Sequence, residues 1–64
     1  MVGKVGRVTS RIDGTHPGEV MVPVRGGSEA FNAYASDEEG AIPTGTRVVV
    51  VEYFPPRTVI VSRA

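Results

Sequence analysis

Apolar and polar residues alternate along this chain in short bursts separated by glycine and proline, and no window carries an apolar stripe at helical spacing. The pattern predicts five strands and little or no helix. The first runs from about Gly3 to Asp13, with Val8 and Ile12 on one face and Arg7, Thr9 and Arg11 on the other. Gly3 and Gly6 near its start suit a bend or bulge, because a missing side chain lets a strand curl or another backbone approach. Asp13-Gly14 and Pro17-Gly18 then carry turn chemistry and mark a loop. In "EVMVPVR", residues 19–25, Val20, Val22 and Val24 alternate with Met21, Pro23 and Arg25, which predicts a second strand with its valines inward. Pro23 has no N–H for a ladder, so that part of the strand belongs at an edge or a bulge.

After Gly26-Gly27, "SEAFNAYAS" puts Phe31, Ala33 and Ala35 on one face and Ala30, Asn32 and Tyr34 on the other, with Phe31 as a large core residue. Residues 37–45 read as a polar loop with a short apolar anchor at Ile42. The fourth strand, "TRVVVVEYF", holds four consecutive valines. Strict alternation would set Val48 and Val50 beside Glu52 and Phe54, and Val49 and Val51 beside Arg47 and Tyr53, so each face would carry both core and charge. Either both faces are partly covered or a bulge near Glu52 changes the parity. Pro55-Pro56 ends this strand, and "RTVIVSR" forms the fifth, with Val59 and Val61 inward and Ile60 unassigned.

Five short strands with glycine bends predict an all-β fold, a five-stranded Greek-key barrel of the OB type, because closure removes the edges an open sheet would expose. A small SH3-like barrel is the alternative architecture. With 64 residues the chain is one domain near the lower limit of independent folding, where only about 60% of the unfolded surface is buried. It has no cysteine, so no disulfide or thiolate metal site supplements that core.

The stretches "GKVGRVTSRI", "PGEVMV", "FNAYAS" and "IPTGTRVVVVE" occur in an order that resembles the C-terminal soluble domain of NfeD-like membrane proteins of bacteria and archaea. The resemblance rests on Gly3 and Gly6, on Pro17-Gly18 followed by Val20 and Val22, on Phe31 with Ala33, and on Gly45 followed by Val48, Val50 and Val51. Phe31 stands where that family often has tryptophan, and Pro55-Pro56 stands where a glycine turn is more usual. The resemblance implies an OB barrel, residues 1–64, forming the C-terminal soluble part of a longer protein whose upstream transmembrane helices anchor it, with the domain facing the cytoplasm. It further implies a stomatin- or flotillin-like (SPFH) membrane-protein partner and a role in membrane organisation or membrane-protein quality control. In the family's long forms a membrane-bound serine protease domain is also present.

Charge narrows the partner class. Seven Lys plus Arg balance seven Asp plus Glu, which counts against a protein that tracks nucleic acid by neutralising phosphates. The outward aromatic and cation offered by strands two and three, Tyr34 and Arg25, are too few for a stacking platform, so a single-stranded nucleic-acid or oligosaccharide site is the lesser alternative. The run Val48–Val51 is far short of the roughly 18 apolar residues of a membrane span, and the N-terminus has no signal-peptide pattern. His16, the only histidine, has no partner at ligand spacing, and Asp37, Glu38 and Glu39 lack the spacing that aims oxygens at one cation. Neither glycine pair leads from a strand into a helix, which removes a phosphate loop. No nucleophile elbow accompanies the serines. The sequence therefore predicts a non-enzymatic module without cofactor or metal, whose interaction surface is drawn from Met21, Arg25, Tyr34, Phe54, Pro55 and Pro56, since methionine and aromatics favour interface cores.

Overall fold

The computed structural model describes residues 1–14, 16–36 and 40–64. The strands are β1 (Val5–Ser10), β2 (Gly18–Val24), β3 (Gly27–Ala35), β4 (Arg47–Phe54) and β5 (Thr58–Arg63). They close into one barrel in the order β1-β2-β3-β5-β4, with β4 returning to β1. Four seams are antiparallel and the β3–β5 seam is parallel, the arrangement of an OB barrel. That connectivity decides between the two expected architectures in favour of the OB type.

The alternation of the sequence becomes the inside and outside of this barrel. Val8, Val20, Val22, Phe31, Ala33, Val48, Val50, Val59 and Val61 point inward and are buried. Ile12 and Ile42 join them from outside the strands, forming a small bridge in which each N–H donates to the other's carbonyl, at 3.0 and 2.8 Å. Ile42 is thus the apolar anchor expected of the long linker. β2 and β3 form a hairpin turned by Arg25 and Gly26, and Gly26 supplies the positive φ of 83° that the turn requires.

Glycine enters β1 for proximity. A Cβ on Gly6 would stand 2.6 Å from the Met21 carbonyl oxygen, so the bare Cα is what lets β1 and β2 approach here. The irregularity of β1 lies further on than Gly3 and Gly6 suggest: Val8 pairs with Val20 but Ser10 with Glu19, which leaves Thr9 as the extra residue of a bulge. Ile12 lies beyond the end of β1 and is buried together with Val8. Gly18 is tighter still, since a Cβ there would collide with the carbonyls of Ser10 and Arg11.

A methyl group at Gly18 cannot be accommodated without moving backbone, whereas one at Gly14 meets nothing within 4 Å. Gly18→Ala is expected to cost about 1–3 kcal/mol and lower the thermal midpoint by roughly 5–20 °C, while Gly14→Ala leaves it nearly unchanged; circular dichroism melts of the two variants test this.

Candidate interaction site

The valine run resolves through a bulge. Val50 pairs with Val61 of β5, but the next pairing is Glu52 with Ile60, so Val51 is the unpaired extra residue. Parity reverses beyond it, as the charge at Glu52 requires. Glu52 and Phe54 now face outward, and Tyr53, opposite the buried Val59, turns toward the core. Its ring meets Phe31 edge-on, with centroids 6.4 Å apart and planes at 83°, and its hydroxyl donates to the Pro56 carbonyl at 3.2 Å. The Pro55-Pro56 peptide bond in this turn is cis. Tyr53, which strict alternation places outward, therefore covers Phe31, and Phe54 is left on the surface.

The outer face of β3, β5 and β4 collects the apolar side chains that remain. Register aligns Tyr34 with Ile60 and Glu52, and the neighbouring row aligns Asn32 with Thr58 and Phe54. Tyr34 is 42% and Phe54 48% exposed, with Ile60 half-buried between them. Val49 lies diagonally beside Ile60 across β4 and β5, and Val5 of β1 is directly opposite Val49, so the apolar face continues to the far seam. Pro55 and Pro56 are exposed next to Phe54.

Met21 is elsewhere. It is outward on β2, between Arg7 of β1 and Ala30 of β3, four residues along from the row of Tyr34, or about 13 Å at strand rise. Arg25 occupies the hairpin turn, a similar distance the other way. The residues expected to form one surface therefore fall into three places, with Tyr34, Phe54, Pro55 and Pro56 on one side, Met21 on another, and Arg25 at the tip.

Met21 borders an open groove of about 280 Å³. Its cause is Pro23. β2 pairs with β1 through Met21, and the next residue of β2 whose main chain faces β1 is Pro23, which has no N–H to extend the ladder. The two strands part, with Val5, Met21 and Pro23 as apolar lining and Arg7 and Arg47 at one end. Sequence reasoning placed both arginines outward but did not bring them together, because only the β1–β4 register sets Arg7 opposite Arg47.

His16 is exposed, and its carbonyl accepts the Asp13 N–H at 3.2 Å. Among the described residues no three of His, Cys, Asp and Glu gather where they could hold one metal ion. The acidic run Asp37, Glu38 and Glu39 lies outside the described residues. Among the described residues no helix is long and apolar enough to cross a membrane.

Comparison with known proteins adds the lineage. The model of the NfeD C-terminal domain family matches residues 5–62, nearly the whole chain. The chain belongs to that family. Among solved structures, this NfeD domain is similar to the soluble domain of the NfeD protein YuaF from Bacillus subtilis, with 28% identity and a TM-score of 0.81 over 95% of this chain and 70% of that one. It is also similar to the C-terminal domain of the stomatin operon partner protein 1510-C from Pyrococcus horikoshii, with 33% identity and a TM-score of 0.72 over 100% of this chain and 88% of that one. No curated protein matches.

Three aromatics of this NfeD domain are exposed, Tyr34, Tyr53 and Phe54, and the one whose ring meets Phe31 should separate from the other two by stability. Tyr53→Ala removes the cover of Phe31 and is expected to cost about 1–3 kcal/mol, while Tyr34→Ala and Phe54→Ala stay within about 0.5 kcal/mol of the parent; urea unfolding of the three variants is the measurement.

Proposed function

We propose that this NfeD domain is a non-enzymatic interaction module, the C-terminal part of a longer membrane protein, and that it engages a stomatin- or flotillin-like partner at the cytoplasmic face of the same membrane. The observation that carries the reading is the outward face of β3, β5 and β4, where Tyr34, Phe54 and Ile60 lie together on rigid strands rather than on loops. Exposed aromatics on a fixed scaffold lose little conformational freedom on contact, and such residues dominate interface energetics. The naming of one similar structure as a stomatin operon partner supports the choice of partner class. The work of the complex is membrane organisation or quality control of membrane proteins.

On this reading the isolated domain binds the soluble part of a stomatin-like protein encoded beside it. Tyr34→Ala and Phe54→Ala each weaken that binding about tenfold or more, corresponding to at least about 1.4 kcal/mol, with the fold retained. Isothermal titration supplies the affinities. Equal binding by both variants would move the interface off this face, and salt-sensitive micromolar binding of single-stranded DNA would replace the partner class. In the full reading frame, apolar segments of about 20 residues precede the domain; their absence would overturn the membrane placement.

A further inference from the structure

The groove between β1 and β2 has a chemistry of its own: it shares Val5 with the far margin of the Tyr34–Phe54 face but none of that face's aromatics, and it is independent of the partner assigned there. Arg7 and Arg47 are directly opposed on adjacent strands. The bond from the Val8 N–H to the Thr46 carbonyl, at 2.9 Å, fixes the alternation of this ladder, so Arg7 and Arg47 form one of its pairs without mutual main-chain bonds, the kind with the closer side chains. Like charges placed so are destabilising. Three carboxylates are engaged elsewhere: Asp13 pairs with Arg11 at 3.0 Å, Glu29 with Arg57 at 3.7 Å, and Glu19 accepts the Thr9 hydroxyl at 2.8 Å. Among the described residues neither Arg7 nor Arg47 has an ion pair.

We propose that this groove binds an extended acidic peptide segment, with one Asp or Glu carboxylate held between the Arg7 and Arg47 guanidiniums and an apolar side chain two residues along lying over Val5, Met21 and Pro23. The spacing follows from the strands. Arg7 shares a row with Met21, and Val5 and Pro23 lie two residues further on, about 7 Å, which is the distance between same-side residues of an extended chain. The guanidiniums present planar donor forks suited to a carboxylate, and that anion relieves their mutual repulsion. A nucleic acid fits less well because no aromatic ring lines the groove for stacking and the chain has no net positive charge.

The test is titration of the isotopically labelled domain with a short capped peptide of alternating aspartate, serine and leucine, against the same peptide with asparagine for aspartate. The expected result is saturable amide shifts at Val5, Gly6, Arg7, Met21, Ser28 and Arg47, with about tenfold weaker binding of the asparagine peptide. The double variant Arg7→Ala/Arg47→Ala also weakens binding about tenfold or more, with a thermal midpoint no lower than the parent's, because it removes a repulsive pair. Tyr34→Ala leaves this binding unchanged, so failure here is separable from failure at the other face. Equal binding of the two peptides, no saturable shift at millimolar peptide, or tighter binding to an oligothymidine or to phosphatidylglycerol vesicles would each overturn the proposal.

Discussion

The seam between β1 and β4 is the contact on which the rest of the structure depends. A chain of 64 residues cannot cover both faces of an open sheet, and an open sheet would also leave two strands with unpaired main-chain groups. Pairing Val5, Gly6 and Arg7 with Val49, Val48 and Arg47 joins the first strand to the fourth and turns one face of the sheet into an enclosed core. Valine suits this enclosure: its branched side chain is stiff, so little rotamer freedom is lost in filling a narrow space. The same closure makes every outward side chain part of one continuous curved surface, and small shifts in register decide what stands beside what.

Much of the fold was legible because period-two alternation depends only on neighbours along the chain. Val20, Val22, Phe31, Ala33, Val59 and Val61 are inward by that rule and buried in the structure. The conflict between four valines and Glu52 was legible too, since a charge cannot follow core residues inward without a break in parity; the bulge at Val51 is that break. What the sequence did not show depends on contacts between distant residues. Thr9, with its β-branched side chain, gives no local sign of a bulge, and of the glycines that suggested one, Gly6 serves close approach and Gly3 a positive φ. Tyr53 reads as outward until the bulge is counted, and the grouping of surface residues follows from strand order, which alternation does not encode.

The candidate surface illustrates the limit. Met21 and Tyr34 sit on adjacent strands in any OB barrel, and composition alone made them neighbours in function. Register separates them by about two turns of the pleat, placing Met21 beside arginine and Tyr34 beside isoleucine. One face is apolar around a single carboxylate, Glu52, which stands opposite Ile60, and the other is a basic-ended furrow that exists because proline interrupts a ladder. A chain of zero net charge thus carries local fields of definite sign, a property invisible to the sum.

Arg57 closes what main-chain pairing leaves open. β5 pairs with β3 only from Asn32 to Ala35, so the outer arm of β3 runs on past its neighbour. There the Arg57 carbonyl accepts the Asn32 N–H at 2.8 Å, and its guanidinium reaches back to donate to the Ala30 carbonyl at 3.1 Å. One residue acts as a short substitute strand, satisfying an edge with a side chain where another backbone would otherwise be recruited. The rest of this seam is held by main-chain groups, while this end of it depends on side-chain identity, so a substitution at Arg57 would leave edge groups of β3 open to another chain.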